Sequence, residues 1–242
     1  MEQKKHGRIW ELDAFRGLCI LGMVVIHTMF DLVELTGLVN WEYPGLFSFL
    51  KDWGGGLFLV LSGVCVTLGT HHVKRGLEVF GCGMLCTAFT AGMYLTGMAP
   101  GGIIIYFGAL HCLGVCMMLW CLFRRLPDWA LAVLGCAFVG IGLYIHGKIF
   151  DFPWLIPLGF QTETFSSSDY FPLFPQLGFF LLGAVLGHRA YGDRKSKFPR
   201  VDPSRGVIPF LTACGRQALL IYLVHQPVIA GVMLAVRAVF RR

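Results

Sequence analysis

The sequence predicts an all-α fold, a polytopic membrane helical bundle of about seven transmembrane helices. Three observations carry this. Hydrophobic residues make up 56% of the chain and charged residues only 14%, where a soluble domain carries roughly 25% charged residues. So few charges cannot build a water-facing surface, and lipid has to cover much of the protein. The apolar residues are gathered into runs of about 20, the length that crosses a bilayer. No Pro/Gly/Ser linker divides these runs, so residues 1–242 read as a single transmembrane domain.

The runs fall at roughly 14–35, 53–70, 77–96, 103–123, 129–147, 171–190 and 215–239. The first follows the basic stretch Met1 to Arg8 and superficially looks like a signal peptide. It is longer than an h-region of about 7–15 residues and lacks a small-x-small cleavage site after it, so it reads as an uncleaved span. The second is short and opens Trp53-Gly54-Gly55-Gly56, which suggests a tilted or partly irregular helix. Val207 to Gly215 reads as an interfacial or re-entrant piece ahead of the last span.

Orientation follows from lysine and arginine, which favour the cytoplasmic side. With the N-terminus inside, the inner segments hold Lys4, Lys5, Arg8, Lys74, Arg75, Arg124, Arg125, Arg189, Arg194, Lys195, Lys197, Arg200 and Arg205. The outer loops hold Lys51 and Lys148. Seven spans then put the C-terminus outside, against the preference of Arg241 and Arg242. The net charge of +6 is spent on this asymmetry, so nucleic acid is not expected as a partner. Nine cysteines contain no Cys-x-x-Cys pair; Cys82/Cys86 and Cys112/Cys116 stand at i,i+4 inside apolar runs, as packing residues do. No metal site is expected.

Ionisable residues inside hydrocarbon are costly and mark function. In the first span Asp13 and Arg16 stand at i,i+3 and can pair on one face, as an interfacial cap and anchor or as part of a site. His27 and Asp31 stand at i,i+4, where a carboxylate can fix the imidazole tautomer for general-base work; a plain packing hydrogen bond is the alternative. Counting about 1.5 Å per residue places His27 roughly 20 Å from the inner face and His111 roughly 12 Å below the outer face. Ser62 comes out at a similar depth, so three spans bring polar groups to one height. His225-Gln226-Pro227 is a proline kink beside a polar pair, lining a cavity or satisfied by neighbouring helices. Asp169 stands at the outer start of the sixth span and is either an N-cap or an acceptor-binding residue. His71, His72, His146 and His188 lie at span ends and are expected to be solvated.

The run Arg8-Ile-Trp-Glu-Leu-Asp13-Ala-Phe-Arg16-Gly17, followed by ten residues between Arg16 and His27, resembles the opening of the heparan-α-glucosaminide N-acetyltransferase catalytic domain family. More distantly it is similar to the transmembrane acyltransferase superfamily. Further matches, in order, are Phe58-Leu-Val-Leu-Ser62-Gly63, Tyr106-Phe-Gly108-Ala-Leu-His111, Asp169-Tyr-Phe-Pro172-Leu-Phe-Pro175 and Gly215-Arg216-Gln-Ala-Leu-Leu-Ile-Tyr222-Leu-Val-His225-Gln226-Pro227. His27-x-x-x-Asp31 is the pattern of bacterial members; in the lysosomal branch the position of His27 is an Asn.

The resemblance implies an acyl-CoA-dependent transmembrane acyltransferase. It would move an acetyl group from cytosolic acetyl-CoA to a hydroxyl or amine of an extracytoplasmic acceptor, a small molecule or glycan, with a sugar favoured. His27 and Asp31 are then the base and its partner, with His111 or Ser62 as donors to the oxyanion of the acyl-CoA adduct. Arg16, Arg75 and Arg216 are the cations for the CoA phosphates. Asp169, His225 and Gln226 are assigned to the acceptor. The setting is a bacterial inner membrane, with the lipid bilayer as partner and a homodimer as an open option. The rival is a non-enzymatic membrane protein: a transporter using His27, Asp31 and His111 as a proton relay, or a haem carrier.

Overall fold

The computed structural model describes residues 8–35, 45–98 and 101–240; Lys4, Lys5, Arg241 and Arg242, which entered the orientation argument, lie outside them. Eight α-helices carry the described chain: α1 Trp10–Phe30, α2 Gly45–Leu68, α3 His72–Leu95, α4 Ala109–Phe123, α5 Asp128–Ile145, α6 Leu173–Tyr191, α7 Ile208–Arg216 and α8 Ala218–Phe240. A short π-helical turn, Asp31–Leu35, continues α1. Among the described residues there are no strands, only the isolated bridges Phe107 to Tyr170 and Ile149 to Gln161.

A helix stands at each of the seven apolar runs. Three helical stretches, Trp10–Val33, His72–Leu95 and Asp128–Ile145, are individually long and apolar enough to cross a bilayer. The pair α7 and α8, bent by 85°, supplies a fourth as a broken span or re-entrant element, in line with the separate Val207 to Gly215 piece. Trp53–Leu68 and Ala109–Phe123 are apolar but shorter. The fourth run begins its helix at Ala109, six residues later than the pattern predicts. Gly108 is extended, and the segment before it makes only a 3-10 turn at Gly101–Ile103 before bonding to the chain ahead of α6, with the Phe171 N–H donating to the Phe107 carbonyl at 2.9 Å. The second run is the reverse case: α2 is regular through Gly54, Gly55 and Gly56. The glycines serve packing there, since a Cβ at Gly55 would overlap the ring of Phe171 and one at Gly56 would press on Phe179.

The chain forms two compact units. One comprises Met1–Gly54 with Arg194–Arg242, the other Gly55–Asp193. In the first, α1 packs on α7 and α8. A Cβ at Gly17 would overlap the Leu211 carbonyl, and one at Gly215 the Asp13 carbonyl, so small residues bring the two backbones together as they do between membrane helices. In the second unit, Gly63 and Gly183 admit α2 and α6 to one another in the same way, and Gly76 faces Gly114 between α3 and α4. The hydrophobic core of that unit includes Leu59, Cys112, Cys116, Trp120, Leu131, Phe180 and Leu181, which gives the i,i+4 cysteines of α4 their packing role.

Candidate functional site

The first unit gathers the polar residues of α1, α7 and α8 into two groups on α1. Near its start, Asp13 is buried and faces two guanidiniums. Arg16 Nη1 donates to Asp13 Oδ1 at 3.2 Å. Arg216 Nε lies 3.5 Å from Asp13 Oδ2, an attraction that is coulombic, because Oδ2 accepts no hydrogen bond of good geometry. The close Gly17 and Gly215 contacts set this arrangement: α7 lies against α1 with Arg216 as the next residue after the contact point. Two arginines on one carboxylate leave a net positive group, and the Arg216 side chain is half exposed. Beside it, Glu11 Oε1 accepts the Lys197 N–H at 2.7 Å, fastening the 194–207 segment to α1.

The second group lies eleven residues further along α1, about 16 Å by helical rise. There Gln226 Nε2 is 3.0 Å from His27 Nδ1, and the rings of His27 and His225 meet edge to face with centroids 5.1 Å apart. Asp31 is buried one turn beyond His27, its backbone N–H on the His27 carbonyl. For neutral rings, these Nδ1 contacts suit one tautomer each. An amide nitrogen only donates, so His27 Nδ1 accepts and the neutral ring carries its hydrogen on Nε2. His225 Nδ1 is bonded to the Tyr222 carbonyl; a carbonyl only accepts, so this ring carries its hydrogen on Nδ1 and its lone pair on Nε2. Two adjacent imidazoles thus have opposite tautomers, one offering a donor and the other an acceptor.

The second unit holds the other predicted residues. His111 is 2% exposed. Its Nδ1 accepts the Gly108 N–H at 3.2 Å. Its Nε2 lies 3.3 Å from Thr87 Oγ1, which itself donates to the Ile105 carbonyl at 2.6 Å. The chain of donors therefore runs from Gly108 through the imidazole and Thr87 to Ile105, bracing α3, α4 and the segment between them. Acting on an oxyanion would require His111 to leave Thr87. Asp169 Oδ2 accepts the Ala109 N–H at 3.0 Å, so this carboxylate caps the start of α4 rather than of α6, where the dipole favours it. The Ser62 hydroxyl donates back to the Phe58 carbonyl at 2.8 Å. Arg75 is exposed in the first turn of α3.

His188, expected to be solvated, instead has Nδ1 2.8 Å from Asp128 Oδ1, with Arg189 Nε at 3.6 Å from Oδ2; it ties the end of α6 to the start of α5. Sequence reasoning missed Thr87, whose neighbours in an apolar run give no signal. It also assigned His225 and Gln226 to the acceptor without pairing them with His27. Among the described residues no group of three His, Cys, Asp or Glu is placed to hold a metal ion.

The family model for heparan-alpha-glucosaminide N-acetyltransferase, catalytic, matches residues 8–227, a stretch that contains both α1 groups and runs through both units. No curated protein and no solved structure matches the chain.

Proposed function

Because the chain belongs to the heparan-α-glucosaminide N-acetyltransferase catalytic family, a family of acetyltransferases, we propose that it moves an acetyl group from cytosolic acetyl-CoA to a hydroxyl or amine of an extracytoplasmic acceptor. The family match is unbroken over both units, which supports one acyltransferase domain. The Lys/Arg bias supports an N-terminus inside; seven spans, a C-terminus outside and a bacterial inner membrane complete the proposed topology.

The observation that carries the reading is the pair of groups on α1. The Arg16–Asp13–Arg216 group has the charge to hold a CoA phosphate. A pantetheine arm spans about 15–20 Å, the length of some ten helical residues, and so matches the distance to His27. At that end the acceptor proton passes to His225 Nε2 as the acceptor oxygen or nitrogen bonds to the thioester carbon. His27 Nε2–H donates to the oxyanion that forms. The adduct then collapses with loss of the C–S bond, and the CoA thiolate takes the proton back. Gln226 holds the His27 tautomer, and Asp31 offsets positive charge on the imidazole pair. His27 thus keeps its place at the centre of the chemistry, with the role of base passing to its neighbour. Arg75, Ser62 and His111 belong to the other unit, and each is tested by its own alanine variant.

The test uses purified protein in lipid nanodiscs. Acetyl-CoA at 100 times its Kd should stabilise the fold by about 2.7 kcal/mol, and CoA release should rise when a methyl glycoside is added. His225→Ala should abolish release while the acetyl-CoA shift persists. A Soret band in the purified protein, with no response to acetyl-CoA, would replace the enzyme by a haem carrier.

A further inference from the structure

The second unit contains a cleft of about 630 Å³ lined by Tyr94 and the 101–107 segment on one side and the 153–166 segment on the other, within the range of small-molecule sites. Its walls combine the rings of Tyr94, Tyr106, Trp154 and Phe165 with the hydroxyls of Thr162 and Thr164. Ser166 adds a third aliphatic hydroxyl. It approaches so closely that a Cβ on Gly102 would stand 2.9 Å from its Oγ. No Asp, Glu, His, Lys or Arg is among the described lining residues.

The cleft is built in advance of any ligand. The Ser167 hydroxyl donates to the Ile104 carbonyl at 2.9 Å, and the Ser168 hydroxyl to the Ile103 carbonyl at 2.7 Å. The Tyr106 and Phe165 rings pack with centroids 5.9 Å apart. Yet Trp154 is 73% exposed, and Tyr94 and Tyr106 are about half exposed. Aromatic residues that only mark a membrane interface form a belt around the outside of a protein. These instead converge on one concavity together with hydroxyls.

We propose that this cleft binds a neutral sugar unit, free or as a glycolipid headgroup. One face of a pyranose ring is a patch of C–H groups, whose positive edges suit the negative face of an aromatic ring. Its rim is hydroxyl, able to donate to and accept from Thr, Ser and Tyr. A hydrocarbon tail would leave the threonine hydroxyls buried without partners, at a cost. A sulfated, phosphorylated or uronic sugar would bring an anion with no cation to meet it, and an ammonium sugar would find no carboxylate. The cleft therefore selects uncharged glycosyl groups. The proposal rests on the acetyltransferase reading only for its use, that of holding a glycan acceptor; the binding itself does not depend on it.

The test is tryptophan fluorescence on the full chain in phosphatidylcholine nanodiscs, free of sugar detergents. Cellobiose and maltose are titrated against glucosamine and glucuronic acid. In a second arm glucosyl diacylglycerol is incorporated into the disc. Saturable binding of a neutral disaccharide, or of the glucosyl lipid, at least tenfold tighter than either charged sugar is expected, and the two arms identify the source. Thr162→Val, read by the same fluorescence, and Trp154→Ala, read by isothermal titration calorimetry because it removes the reporter ring, should each weaken it at least tenfold while leaving the acetyl-CoA thermal shift in place. Equal or tighter binding of the charged sugars would overturn the proposal, as would no saturable binding in either arm or binding unchanged in both variants. Binding by a preparation that releases no CoA would uphold the cleft and sink the enzyme reading, so the two failures are distinct.

Discussion

In the proposed mechanism the opposite tautomers of His27 and His225 divide the chemistry between them, and asparagine can test the division. Asparagine keeps a hydrogen-bond donor but cannot take up a proton. If His27 Nε2–H serves the oxyanion, His27→Asn retains the essential property and His27→Ala does not. Losing one oxyanion donor costs about 10²–10³-fold, or about 2.7–4 kcal/mol of transition-state stabilisation. Losing a general base costs about 10²–10⁴-fold. We therefore expect His27→Asn to stay within about tenfold of the parent, a gap of about 1.4 kcal/mol, and His27→Ala to fall by about 10²–10³-fold. His225→Asn should fall by about 10²–10⁴-fold, since the acceptor proton has nowhere to go. The single Gln226 contact at 3.0 Å is one partly buried hydrogen bond, about 0.5–1.5 kcal/mol, so Gln226→Leu should cost about 2–13-fold by that term. The double variant His27→Ala/His225→Ala should lose less than the product of the single losses, because the residues act as a unit. The assay is mass-spectrometric CoA release, with the acetyl-CoA thermal shift as a control for binding. An inactive His27→Asn beside an active His225→Asn would refute the division and return the base to His27 with Asp31.

Three further outcomes follow from the same geometry. Asp13→Asn keeps the shape of the carboxylate but removes the charge that holds Arg16 and Arg216; it should destabilise the fold by about 1–3 kcal/mol and weaken acetyl-CoA binding, both read in one thermal-shift titration. A reporter fused after Arg242 should read extracytoplasmic, and a cytoplasmic reading would mean that α7 and α8 together, or α2, do not cross as one span. Burial pushes the Tyr170 phenol, in the loop ahead of α6, from 10.0 up to about 12, against a hydrogen bond with Gln161. Between those values the folded chain keeps a proton that the unfolded chain has lost, so stability falls as pH rises through that window and is unaffected below it. Alkaline melts of Tyr170→Phe should lack this component.

What the sequence could and could not reveal divides along range. Hydropathy is a local property, and it located every helix. Spacing is local too, and it placed Asp31 one turn from His27. The partner on His27 Nδ1 is 199 residues away, beyond any periodicity, and only the order of family motifs hinted that residues 215–227 belong with residues 8–31. The start of α4 was misplaced for the same reason: its cap is Asp169, 60 residues on, and a run of apolar residues before Gly108 looks helical until its hydrogen bonds are seen to go elsewhere. Depth counting put His27 and His111 at one height, but height along a helix says nothing about azimuth or neighbours, and each imidazole has its own circle of partners in its own unit. For both, chemistry is decided by what the nitrogens already touch. His111 has one nitrogen on a backbone N–H and the other beside Thr87. In the proposed mechanism His27 and His225 each spend Nδ1 on a neighbour of opposite character, and their Nε2 atoms act as donor and acceptor respectively. That asymmetry is what a proton transfer with oxyanion stabilisation requires.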